Sequence, residues 1–145
     1  SQGEERLESF IEYCEEKKIR GDVIQVDSFS IEAGQQGAKT FLQHHTEASA
    51  ILSANDMIAI GAIQVLREKG INIPENISIV GYNGMFMSDL ISPPLTTVSI
   101  PFQALGEQAA RLLIQEIENP DQPRQNILVT PELLVRQSTT IFTNS

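Results

Sequence analysis

Three short polar clusters are placed where this chain could meet a small molecule. Ser53-Ala54-Asn55-Asp56 lies between an apolar run and a strong helical pattern. Asn and Asp are favoured N-caps, so one of the two satisfies the free backbone N–H groups that open the helix. The other is then free to face a cleft, where an Asn amide both donates to and accepts from a ligand hydroxyl or amide. Gly81-Tyr82-Asn83-Gly84 follows a second apolar run. Asn-Gly tolerates left-handed backbone and reads as a turn, yet it also sets a polar group at the open end of a sheet. In Asp27-Ser28-Phe29-Ser30, Ser28 or Ser30 caps the next helix. Phe29 is either core or an aromatic wall for a sugar or base ring.

Other chemistries find little support. There is no Gly-x-Gly-x-x-Gly and no Gly-Lys-Ser/Thr phosphate loop, so no nucleotide cofactor is expected. Gly34 and Gly37 sit inside a helical pattern, where close packing explains them. With one Cys and two His in the chain, a zinc site is not expected. His44 and His45, adjacent on a helix, point about 100° apart and do not easily share a metal. No Gly-x-Ser-x-Gly elbow and no arranged carboxylate pair argue for catalysis, so the chain is read as a non-enzyme. Cys14 cannot form an internal disulfide; it fits a packed helix position and a reducing cytoplasm. The net charge of -9 makes this piece a poor partner for phosphate backbones. No apolar run approaches the roughly 20 residues that span a bilayer, so no membrane association is expected.

The elements that must position these clusters follow from periodicity. Glu4 to Lys18 reads as a helix, with Leu7, Phe10, Ile11 and Cys14 on one face, glutamates at its start and lysines at its end. Asp22 to Val26 is a strand candidate, and Ser30 to His44 a helix. Ala48 to Leu52 and Ile77 to Gly81 are buried parallel strands. Between them Met57 to Lys69 is a helix with Gly70 as its C-terminal cap. Tyr82 to Pro94 is a functional loop with room for a short helix, and Pro93-Pro94 forces extended backbone into Leu95 to Ile100. Gln103 to Glu118 is a helix, Ile127 to Val129 and Leu133 to Val135 are strands, and the tail from Ser138 to Ser145 is polar and frays. Strands alternating with helices give an α/β fold, a mostly parallel sheet covered on both faces. Its ligands belong beyond the carboxyl ends of the strands, after Val26, Leu52 and Val80.

In order and spacing these segments resemble the lactose-repressor (LacI/GalR) family. Ser53-Ala54-Asn55-Asp56-Met57-Ile58-Ala59-Ile60-Gly61-Ala62 is similar to its "AND-x-x-A-x-G" signature. Leu66 to Gly70, Pro74 and Ile77-Ser78-Ile79-Val80-Gly81-Tyr82 follow its next motif, and Pro93-Pro94-Leu95-Thr96-Thr97-Val98 its "P-P-L-T-T-V". Leu105-Gly106 with Ala109-Ala110, and Glu132 to Thr139, resemble the family's following helix and closing strand.

The resemblance implies one lobe of a two-lobed core with a periplasmic-binding-protein-like, Rossmann-like sheet. Residues 1–100 and 127–145 would form the C-terminal lobe. Residues 101–126 would be the crossover helix segment that packs with an N-terminal lobe. The chain is therefore read as a fragment of a cytoplasmic, homodimeric transcription regulator, a repressor whose DNA-binding head contacts operator DNA through a region absent here. A solute-binding protein feeding a transporter is the alternative, since it shares the core. The resemblance further implies an effector site of Arg6, Phe29, Asn55, Asn83, Ile100 and Phe102, and a dimer interface drawing on Ile60, Ile63 and Ile91, for which ordinary core packing is the competing reading. Asn83 stands where the family usually has Asp, and Ile100 where a Gln is common. Asn donates as well as accepts, and the charge-assisted bonds of an Asp are the stronger. The expected effector is a small molecule of the sugar or related metabolite class, other than a simple hexose held through that Asp, or one held more weakly.

Overall fold

The computed structural model describes residues 2–44 and 47–141. His45 of the adjacent histidine pair and residues 142–145 of the polar tail lie outside the described residues. The element order is α1 (Gln2–Lys17), α2 (Ile31–His44), β1 (Ala50–Leu52), α3 (Asp56–Glu68), β2 (Ser78–Asn83), α4 (Met87–Leu90), β3 (Thr96–Ser99), α5 (Phe102–Glu118) and β4 (Glu132–Leu134). The strands form one sheet in the order β1-β2-β3-β4, the first three parallel and β4 antiparallel to β3. In register, Ile51 pairs with Ile79, Val80 with Thr96, Tyr82 with Val98 and Thr97 with Leu134.

Side chains alternate across a pleated strand, so Ile51, Ile79, Gly81 and Thr97 share one face. That face holds the main core, where Ile79 and Leu95 pack with Ala59, Ile63 and Leu66 of α3 and with Phe41 of α2. Helix α2 then crosses α3 at two glycines. A Cβ on Gly34 would fall on the Ile58 carbonyl, and one on Gly61 on the Ile31 carbonyl. This mutual backbone approach explains Gly34 as a packing residue, while Gly37 makes room for Val26.

The helix ends follow their local chemistry. Asn55 caps α3 from extended backbone, accepting from Ile58 N–H. At the other end Gly70 adopts φ 76°. Gly70 N–H donates to the Arg67 carbonyl at 2.9 Å and Ile71 N–H to that of Leu66 at 3.0 Å, the paired bonds of a Schellman stop. Lys18, at φ 54°, takes the same left-handed place after α1, and Ile19 N–H donates to the Cys14 carbonyl at 2.9 Å.

Two expected strands are absent. Asp22 to Val26 forms no strand: Ile24 packs on the core and Val26 lies beside Gly37, but no backbone ladder joins the segment to β1. Ile127 to Val129 is likewise irregular. Alternation identifies which side chains turn inward; it does not supply a neighbouring strand, and without one there is no ladder. The segment after β4 closes the sheet differently. Ser138 is wedged at the starts of β2 and β3: its carbonyl accepts from Ile79 N–H at 2.8 Å. Its Oγ accepts from Thr96 N–H at 2.8 Å and donates to the Ile79 carbonyl at 2.6 Å.

Candidate functional site

The clusters picked out by sequence converge at the carboxyl ends of β1, β2 and β3, through two connected groups. The first joins α1, the loop before α2 and the start of α3. Arg6 stands with its guanidinium carbon 3.8 Å from the Tyr82 ring centroid and donates from Nη1 to the Ala54 carbonyl at 2.8 Å. That uses one of the five donors of a guanidinium, and the stacked, partly buried setting favours a fixed orientation for the others. Phe29 is 56% exposed, so it is not a core residue, and its ring tip stands 3.3 Å from where a Cβ on Gly3 would be. Ser30 rather than Ser28 caps α2, accepting from Ala33 N–H at 3.1 Å. The neighbouring Glu32 carboxyl is held below the usual glutamate range by a hydrogen bond from its own backbone N–H and by the Ser30 hydroxyl.

Asn55 ties this group together. Its Oδ1 accepts from Ile58 N–H at 2.8 Å and its Nδ2 donates to the Phe29 carbonyl at 3.1 Å. It is 6% exposed. Of the pair Asn55-Asp56, Asn55 is thus the cap, and it also locks the Phe29 loop; one amide hydrogen and one lone pair remain for anything else. Asp56 does not face the cleft. It is fully buried.

The second group is the turn after β2. Asn83 adopts φ 110° and Gly84 φ 70°, the left-handed backbone that Asn-Gly suggested. The Asn83 carbonyl accepts from Ile100 N–H at 3.2 Å, and the Ile100 carbonyl from Phe102 N–H at 2.8 Å. Among the described residues the Asn83 side-chain amide has no hydrogen-bond partner, so both its donor and its acceptor are free. Ile100 is half-buried beside it and Phe102 is exposed. Tyr82, stacked under Arg6, directly precedes Asn83 and so joins the two groups.

The expected dimer residues are placed otherwise. Ile60 is 5% and Ile63 4% exposed within the chain, Ile63 inside the main core. Their apolar surface is already covered, which is the ordinary core packing that competed with the interface reading; neither offers area for a partner. Ile91 is half-buried against the same core.

Sequence reasoning passed over Tyr82 as a platform and over Ser88 and Thr97, which with Asp56 lie beneath the Asn83 turn. Gly81 carried the available signal. A Cβ there would strike the Asp56 carboxylate, so the glycine marks a buried group under the strand.

A model of the periplasmic binding protein-like domain matches residues 1–139. The HTH-type transcriptional repressor PurR of Pasteurella multocida is 37% identical over 135 residues, covering 92% of this chain and 40% of that protein. The ribose operon repressor of Haemophilus influenzae is 31% identical over 140 residues, covering 95% of this chain and 42% of its own length. A crystal structure of a LacI family transcriptional regulator from Enterococcus faecalis with bound ribose superposes with a TM-score of 0.85 at 34% identity, over 94% of this chain and 49% of that one. Another from Arthrobacter, in complex with lactose, gives 0.82 at 26% identity over 90% and 48%. The chain thus spans about 40% of the length of the curated relatives it matches, and those relatives are transcription regulators.

Proposed function

Because the chain belongs to the periplasmic binding protein-like domain family, in the company of LacI-type transcription regulators, we propose that it is the effector-binding C-terminal lobe of a DNA-binding repressor, taking a small polyhydroxy metabolite of the sugar class. The observation that carries this reading is the convergence of Arg6, Phe29 and Asn83 at the open end of the sheet. A guanidinium fork, an exposed ring and a free amide suit a ligand with several hydroxyls and one apolar face. Arg6 would clamp hydroxyl oxygens with its remaining donors. Phe29 would cover the ring face, and Asn83 would both donate and accept. Asn55 would contribute chiefly by holding Phe29. Ile100 and Phe102 would line the side towards α5.

No residue of α5 is buried, and its apolar stripe, including Leu105, Leu113 and Ile117, is exposed. This supports α5 as the segment that meets an N-terminal lobe, which would complete the pocket. Operator DNA would be bound through a region outside this chain, by paired copies. With Ile60 and Ile63 buried, the surface around Ile91, with exposed Phe86 and Leu90, is the better candidate for contact between copies. Ligand closing the two lobes would shift a population of DNA-binding poses through its differential affinity for them. Thermal-shift screening of the full-length protein against pentoses, disaccharides and nucleobases tests this reading. A stabilising sugar whose effect is lost in Arg6→Ala supports it; stabilisation by nucleobases alone, or by a sugar that stabilises both proteins equally, contradicts it.

A further inference from the structure

We infer that Asp56, which does not itself reach the cleft, is a positioning residue of the effector site that holds the Asn83 turn in its ligand-facing geometry; this rests on the function proposed above. Asp56 is fully buried at the first position of α3, a setting in which an ionised carboxylate requires full hydrogen bonding. It has that. Oδ1 accepts from the Thr97 hydroxyl of β3 at 2.6 Å. Oδ2 accepts from the Ser88 hydroxyl of α4 at 2.7 Å and from Met85 N–H at 2.6 Å. Thr97 Oγ1 in turn accepts from Gly84 N–H at 3.3 Å.

Three backbone groups of the turn are therefore held from below or beside. Ile100 holds the Asn83 carbonyl, Thr97 holds Gly84 N–H and Asp56 holds Met85 N–H. Asn83 is a non-glycine residue at φ 110°, a conformation that persists only where the surroundings over-determine it. The carboxylate is the node that makes them do so. It anchors Met85 and Thr97 together, and Gly81 leaves the space it fills. Asn55 and Asp56 divide the work at one helix start: the first pins the Phe29 wall, the second the Asn83 wall.

Amide hydrogen exchange on the full-length protein tests this without any ligand. In Asp56→Ala the Gly84 and Met85 amides are expected to lose at least tenfold in protection, while Ala59 to Leu66 of α3 keep theirs. Asp56→Asn is the conservative control. Its amide nitrogen can turn to Thr97, whose hydroxyl can accept, leaving the oxygen for Met85 and Ser88; most of the protection should return. Unaltered protection at Met85 in Asp56→Ala overturns the inference, and so does an equal loss across the turn and α3, which would make Asp56 a general stability residue. Should Asp56→Ala fail to fold, Thr97→Val, similar in shape and cutting the same node from β3, gives the local-against-global comparison at Met85, since Thr97 itself holds the Gly84 N–H; a Met85 amide that keeps its protection there overturns the inference. Because no ligand enters, failure here is separate from failure of the effector reading, which the ligand screen decides.

Discussion

Replacing Asn55 separates its two tasks. In Asn55→Ala, Ile58 N–H loses its cap acceptor and the Phe29 carbonyl its donor. Loss of an N-cap costs about 1 kcal/mol. The loss of the part-buried hydrogen bond to the Phe29 carbonyl adds about 1 kcal/mol more. The sum, about 2 kcal/mol, corresponds to a melting temperature lower by about 4–8 °C for a chain of this size. Asn55→Ser keeps a capping oxygen but is too short to reach the Phe29 carbonyl, so it should lose about half as much, about 2–4 °C. Differential scanning calorimetry on the three proteins gives the order wild type, Ser, Ala. Proteolysis or amide exchange at 27–30 should rise equally in both variants, because both release the Phe29 loop. A Ser variant as unstable as the Ala variant would refute the cap as an independent contribution. An Ala variant within about 0.5 kcal/mol of wild type, the scatter of ordinary surface changes, would refute both.

Gly61→Ala drives a methyl into the Ile31 carbonyl of the crossing helix. Because the obstacle is backbone, the helices must part, and the expected loss is about 2–3 kcal/mol even after the gain in helix propensity; a neutral result in chemical unfolding would contradict the close crossing. Ser138→Ala leaves Thr96 N–H and the Ile79 carbonyl without their side-chain partner. With Ser138 fully buried, the expected cost is about 2–4 kcal/mol, with faster exchange of the Thr96 amide as its local sign. Below the ordinary glutamate range, protonating Glu32 removes its bonds to the helix start, because a depressed carboxyl pKa gives stability present at neutral pH and lost as pH falls through the folded value. An NMR titration should find Glu32 titrating below an unperturbed glutamate, and a Ser30→Ala variant should raise it.

The order of helices and parallel strands was legible because each rests on local signals. Apolar spacing gave α1 and α3, Gly70 gave the stop of α3, and short apolar runs gave β1 and β2. The two absent strands depended on neighbours that a local pattern does not specify. At the site, Phe29, Asn55 and Asn83 could be found because polar or aromatic residues after buried strands have few structural excuses. Their roles were less accessible. Whether Asn55 or Asp56 caps α3 depends on φ, and only the fold shows that Asp56 turns inward. Tyr82 was hidden because an aromatic at the end of a strand reads as core; its use depends on Arg6 arriving from α1, 76 positions away along the chain. Ile60 and Ile63 show the reverse case. Their apolar character could not tell a covered position from an exposed one until α3 was seen between the sheet and α2.

The most direct measurement is a crystal structure of the full-length protein with the small metabolite that stabilises it most. Ligand density is expected between Arg6, Phe29 and Asn83, with the guanidinium still stacked on Tyr82 and the Asn83 amide bonded to the ligand. Density elsewhere, such as the cleft lined by Arg67, Asn72 and Gln137, or a bound ligand that leaves Arg6 and Asn83 untouched, would contradict an effector site at the open end of the sheet.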